Sequence, residues 1–236
     1  MTITDGGGPL PDPRELLEGT DWASLEHAYG SAEGAAPVMG GLLAADLDTQ
    51  ARAMRYLEDP VHHQDTIYSA TVPAALYVAA SLSEPRTATM LPREQGERPL
   101  RAAMLDWLES VARAVGDDAE AIRERFGFSW DPASLRIRAL RPALFRAVSP
   151  FLHDLDPAVH EAAIAAAVSL LDAPELVRYR TTLVPLVREV LAASAERSYR
   201  SVAVGGLRAW GKDTADPQAV ENEDPRAAGR SSEMPL

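Results

Sequence analysis

An all-α protein assembled from paired helices is the fold class that the sequence predicts, and three observations predict it. Apolar residues recur at helical spacing across 20–211, alternating β-branched runs are missing, and an acid-to-base start pattern occurs four times. Ala, the best helix former and small enough for close helix approach, is very common. The chain has 236 residues with 46% hydrophobic content, enough to build a core. It has no Cys, which excludes disulfides, thiol nucleophiles and Cys-ligated zinc. Net charge is −12 and the pI about 4.9, which argues against binding nucleic acid by phosphate neutralisation. No apolar run reaches the ~18 residues that a membrane span needs. The start, MTITDGGGPLPDP, has neither a basic nor an apolar leader segment. A cytoplasmic protein with no membrane contact is therefore expected.

Taken in order, residues 1–13 hold three Gly and three Pro and few apolar side chains, so a disordered N-terminal tail is expected. The helical domain is expected over 14–211, with one or two helices in 20–43. The polar, acidic segment 212–236 reads as a second disordered tail. Asp156–Leu171 is the clearest helix. Asp156 is a good N-cap and Pro157 suits the first turn. Val159, Ala163, Ala167 and Leu170 form one apolar stripe, widened by Ile164, Val168 and Leu171. A helix this apolar and small-sided needs neighbours on more than one side.

Its opening, Asp156-Pro-Ala-Val159-His160, is an acid, two spacers, an apolar residue and a base. The pattern returns as Asp48-Thr-Gln-Ala51-Arg52, Glu97-Arg-Pro-Leu100-Arg101 and Glu196-Arg-Ser-Tyr199-Arg200. The acid can cap and meet the helix dipole, and the base four residues on lies within ion-pair reach. A second pattern places Pro73, Pro142 and Pro185 at or near the start of apolar runs, where Pro is tolerated. Helix pairs are expected at 48–58 with 71–82, 97–114 with 140–150, and 156–171 with 183–194. A helix over 196–210 begins a further unit, and the insert 115–132 holds a short helix and a loop.

This arrangement resembles the HEAT-repeat family, whose units are helical hairpins of about forty residues with an Asp-x-x-Val-Arg start. The resemblance implies an α-solenoid whose concave surface, usually lined by the second helix of each pair, binds other macromolecules. Trp22–Gly30 and Val61–Ala75 also look like segments of HEAT-like proteins from high-GC bacteria. In that group a His-Gln pair, a Tyr and an Ala-Thr precede a Pro-initiated helix, matched here by His63, Gln64, Tyr68, Ala70, Thr71 and Pro73. Lys212 is the only Lys, as in a high-GC genome. No established activity comes with the resemblance.

Candidate chemistry is sparse. His62, His63 and Asp65 could ligate zinc or iron, but adjacent His residues do not converge readily and no HExxH follows. His63, Gln64 and Tyr68 are therefore read as a structural turn whose polar groups satisfy helix ends, and neither metal nor cofactor is expected. Ser69, Ser81, Ser149 and Ser169 sit in no nucleophile elbow. Arg136, Arg138, Arg141 and Arg146 form a local basic cluster, but 131–200 hold nine Arg against eight acids. Residues 1–60 carry eleven acids against three Arg, a field that can attract a basic partner. Trp107, Trp130 and Trp210, with Arg138 and Arg141, are the candidate partner contacts. The expected function is a non-catalytic protein-binding module: an adaptor, a regulator or a toxin-neutralising immunity-type protein, with a protein partner that is basic. The alternative is an enzyme with a site in the groove, such as a HEAT-like DNA glycosylase.

Overall fold

The computed structural model describes residues 8, 10–93 and 96–214. The fold is all-α, with 69% helix and 5% strand. Ten α-helices follow one another among the described residues: α1 (Pro13–Glu18), α2 (Ala35–Met39), α3 (Leu47–Tyr56), α4 (Thr71–Ser81), α5 (Leu100–Arg113), α6 (Asp117–Arg125), α7 (Pro132–Val148), α8 (Pro157–Leu170), α9 (Arg180–Ala193) and α10 (Arg197–Ala209). Two small antiparallel hairpins interrupt them: β1 (Glu26–His27) with β2 (Gly30–Ser31), and β3 (Met90–Arg93) with β4 (Gly96–Pro99). Most of both predicted tails, 1–7, 9 and 215–236, lies outside the described residues.

Helix α8 is the hub. Asp156 caps it, accepting from the Ala158 and Val159 amides at 2.9 and 3.3 Å. Residues Ala162–Val168 are all buried, and the helix packs against α5, α7, α9 and α10. Its closest neighbour is α5, which turns Ala102, Ala103 and Ala112 inward. Helix α5 touches α3 and α8, α8 touches α10, α4 packs on α7, and α7 and α9 each pack on α8.

Several predicted boundaries move. Asp46, not Asp48, caps α3: its carboxylate accepts from the Thr49 amide at 2.8 Å and the Thr49 hydroxyl at 2.6 Å. Asp48 sits in the first turn, where it still meets the helix dipole. Glu97 is no cap, because 96–99 is strand β4 and α5 starts at Leu100 after Pro99. Met90 pairs with Pro99, and the Leu100 amide donates to the Thr89 carbonyl, so the hairpin delivers the chain straight into the helix. Helix α7 begins eight residues before 140, at Pro132, and carries Pro142 in its interior. Asp131-Pro132 is the same cap-and-Pro signal as Asp156-Pro157, and Asp131 caps through the Ser134 amide at 2.9 Å. Helix α9 starts at Arg180, leaving Pro185 inside it. Residues 20–43 form only α2, short 3₁₀ turns and the first hairpin. The insert contains α6, which buries none of its residues and leaves Ile122, Phe126 and Phe128 exposed.

The two adjacent glycines of α10 play opposite parts. A Cβ on Gly206 would meet Val168 Cγ1 of α8 at 2.5 Å, whereas one on Gly205 would meet nothing within 4 Å. Gly206 therefore sets the α8–α10 spacing, and Gly205 only costs helix propensity. Gly205→Ala should raise stability by about 0.5–1 kcal/mol. Gly206→Ala should lower it by about 1–3 kcal/mol despite the same propensity gain, because β-branched Val168 is stiff. Chemical denaturation of the two variants reads both signs.

Candidate functional site

The chain between α3 and α4 shapes the main cavity. After α3 the backbone makes one π-helical turn, Leu57–Val61, with Pro60 inside it. Gln64 and Asp65 then adopt left-handed conformations, with φ of 49° and 58°. Such backbone costs of order 1–3 kcal/mol per residue and persists only where its surroundings enforce it. Here they do. The Thr71 hydroxyl donates to the Val61 carbonyl at 2.6 Å and accepts from the Tyr68 amide at 2.9 Å. The indole of Trp107 donates to the Leu57 carbonyl at 2.9 Å. His62, almost fully buried, sits between the Thr66 carbonyl (Nδ1, 3.1 Å) and the Ser110 hydroxyl (Nε2, 3.0 Å), with its ring edge-on to Trp107.

The turn that was expected is present, but other residues secure it. His63 points away from His62 and holds the exposed Asp59 at 2.9 Å. Gln64 is exposed and lines the cavity, and Tyr68 is half-buried and bonds through its amide. His62 and Thr71 satisfy the backbone groups assigned to His63 and Gln64. The left-handed Gln64 and Asp65 lie between His62 and Thr71 in the chain.

The turn also carries an outer face. The Ala28 amide donates to the Pro60 carbonyl at 2.9 Å, and Ser69 bonds the backbone of Glu26, so the two segments singled out in the sequence lie together. Tyr29, 64% exposed, donates to Asp59 at 2.9 Å, and its ring leans on His63 with 5.7 Å between centroids. His27 stands edge-on to both Tyr29 and Tyr56. The Asp59 carboxylate raises the Tyr29 phenol above its usual range, so the hydroxyl stays a donor.

On the inner side a cavity of about 580 Å³ is lined by Glu58, His62, Gln64, Asp65, Arg98, Asp106 and Ser110 above an apolar floor of Ala103 and Trp107. Arg98 and Asp106 are shared with a second cavity of about 260 Å³, which Glu109, Ala165, Glu196 and Tyr199 continue across α8 to α10. Together they form a groove along α5. Among the described residues that line it, five are acids and one is an Arg, Arg98, which reaches Asp106 at 2.7 Å and the Tyr199 hydroxyl, itself donating to Asp106 at 2.6 Å; Arg113 beside it pairs with Asp65 at 3.3 Å and Glu109 at 3.2 Å. Burial, and then Asp106, push the Tyr199 phenol far up, so it remains protonated. Burial raises the Glu109 carboxyl, partly offset by Arg113 and Ser169. The groove lies over the first helices of the predicted pairs, not the second helices expected to line a binding face.

The candidate partner contacts fare differently. Trp107 is buried and reaches the cavity only as its floor. Trp130 is held between Arg123 and Arg138, 4.4 and 5.2 Å from the ring centre, and pegs α6 to α7. Trp210 packs half-buried against the core with Arg180 above it. Arg138 pairs with Glu120 at 2.9 Å and donates to the Val115 carbonyl at 3.0 Å. Arg141 is only 1% exposed and spends its guanidinium on that same carbonyl, out of a partner's reach. Among the described residues no three His, Asp or Glu side chains converge as metal ligands. Ser110, Asp106, Tyr29 and Asp59 carry no motif that would single them out in a sequence.

No protein-family model matches the chain, and no curated protein and no solved structure matches it either. The arrangement of the site therefore rests on its own chemistry: an acid-lined groove, closed at one end by a strained turn.

Thr71→Val, which keeps the shape but removes both hydrogen bonds, should cost about 2–4 kcal/mol, because two buried backbone groups lose their partner. His63→Ala breaks only a surface pair with Asp59 and should cost about 1 kcal/mol or less. Thermal denaturation separates the two; equal losses would return the structural role to His63.

Proposed function

We propose that the chain is a HEAT-like α-solenoid that binds a protein partner without catalysis, as an adaptor, a regulator or an immunity-type protein. Two features support the solenoid reading: the chain of contacts from α3 to α5, α8 and α10, and the alternation of these with α4, α7 and α9 along the sequence. The single observation that carries the binding reading is the acidic groove along α5. Among the described residues, Glu58, Asp65, Asp106, Glu109 and Glu196 outnumber Arg98, which pairs with Asp106, and Arg113, which pairs with Asp65 and Glu109. Low-dielectric walls around charges of one sign focus the field and favour a basic partner. Against the alternative of a nucleic-acid enzyme weigh Arg141, which is buried, and Arg138, which is paired with Glu120.

A fluorescein-labelled hexa-arginine peptide tests this at physiological salt. It should bind the full chain, and hexa-glutamate should not. Glu58→Lys with Glu196→Lys, at opposite ends of the groove, should weaken binding by about tenfold or more. Glu175→Lys with Glu189→Lys changes the charge equally on exposed sites outside the groove and should leave affinity within about twofold. Equal loss in both double variants would mean that only net charge attracts the peptide.

A further inference from the structure

Helix α6 is amphipathic the wrong way round. Its inner side is held by polar groups: Glu120 pairs with Arg138 at 2.9 Å, and Arg123 lies over the Trp130 ring, 4.4 Å from its centre. Its outer side carries Ile122 and Phe126, 60% and 66% exposed. Gly127, with φ of 71°, ends the helix, and the Phe128 amide donates back to the Arg123 carbonyl at 2.9 Å. A third exposed apolar residue is thereby held at the same end. The chain has only four Phe, and two of them are spent here. An exposed apolar patch on a chain so poor in aromatics marks a contact surface.

The charges on the helix say what the contact is with. Its first turn is acidic, with Asp117, Asp118 and Glu120, and its last is basic, with Arg123 and Arg125. Asp118, Ala121, Ile122 and Arg125 recur at i, i+3, i+4 and i+7, so they share one face. Asp118 and Arg125 are exposed and, among the described residues, enter no ion pair. Arg125 only leans on Phe126, 5.9 Å from the ring centre. Asp118 and Arg125 lie equally far from the midpoint between Ala121 and Ile122. A two-fold axis through that midpoint sets a second α6 antiparallel to the first. Each Asp118 then stands opposite the Arg125 of the other copy, and each Ala121 opposite the other Ile122. The face is complementary to itself, which is what an isologous contact requires. Antiparallel alignment also sets the positive end of each helix dipole beside the negative end of the other.

We propose that two copies of this chain associate through α6, antiparallel about a two-fold axis between Ala121 and Ile122. Ala121 lets the backbones approach, Ile122 and Phe126 lose their water, and two Asp118–Arg125 pairs fix the register. Nine residues make a helix only about 13 Å long, so the contact is small and the dissociation constant is on the order of 10–100 μM. The groove along α5 takes no part in this, and the inference is independent of how the groove is read.

Sedimentation equilibrium of the full chain at physiological salt, from about 1 to about 200 μM, tests this. The wild type should pass from monomer to dimer across that range. Ile122→Ser with Phe126→Ser should weaken association by about tenfold or more. Asp118→Arg alone, or Arg125→Asp alone, sets like charges opposite each other and should do the same. The two charge variants mixed in equal amounts should return to within about threefold of the wild type, since each supplies the sign the other lacks. A chain that stays monomeric at about 200 μM overturns the inference. So does a dimer that survives Ile122→Ser with Phe126→Ser, or a mixture of folded charge variants that does not associate. A monomer that co-sediments with phosphatidylglycerol vesicles, and loses this with the two Ser substitutions, gives the face to a lipid surface and equally overturns the inference. Should the charge variants not fold, the lack of native Cys allows a direct reading. Mild oxidation should link Ala121→Cys into a dimer and leave Glu189→Cys, exposed on α9, monomeric. Equal cross-linking of the two, or none in Ala121→Cys, rejects the two-fold axis at α6.

Discussion

Everything in this structure hangs on how closely α8 can be approached. Five alanines in the run Ala162–Ala167 give it a narrow girth, and α5 meets it with alanines of its own. The helix is consequently buried on several sides at once, something larger side chains would prevent. Gly206 extends the same constraint to α10. With α5 pinned against α8 along one side, its remaining surface is fixed in space. That surface carries Asp106, Ser110 and Arg113, so the groove is a consequence of small-residue packing behind it.

The second fixed point is the turn after α3. A π-helical turn followed by two left-handed non-glycine residues is an unfavourable path for a chain. It is held by Trp107 from α5, by Thr71 from α4 and by His62 between them. The turn is thus stapled to the same helix that forms the groove floor. Glu58 and Asp65 consequently line the same cavity as Asp106, both remaining exposed to solvent.

The helical fold was legible because α8 advertises itself in every way a helix can: cap, first-turn Pro, period and composition. Boundaries were less so. Asp131-Pro132 carried the same signal as Asp156-Pro157, yet Pro142 drew the expected start of α7 eight residues downstream. Glu97 matched a repeat start on paper and is in a strand, because the Gly96 turn and Pro99 select extended backbone before α5. The groove itself could not be read at all. Its acids come from 58–65, 106–109 and 196, and only folding brings them together. The segments 22–30 and 61–75 stood out in the sequence and do meet in space, through Ala28, Ser69 and Glu26.

Charge shows why such sites escape a linear reading. The local run Arg136–Arg146 looks basic, but the helix sends its members in different directions: Arg141 inward to a carbonyl, Arg138 to Glu120, and Arg136 and Arg146 to solvent. The groove acids look unremarkable one by one, yet they converge along α5, where Arg98 is already paired with Asp106. Arg98 is committed to Asp106 and Tyr199, and Arg113 to Asp65 and Glu109. Which charges meet is set by the fold and not by the local sequence balance, and among the described residues along α5 most of them are carboxylates.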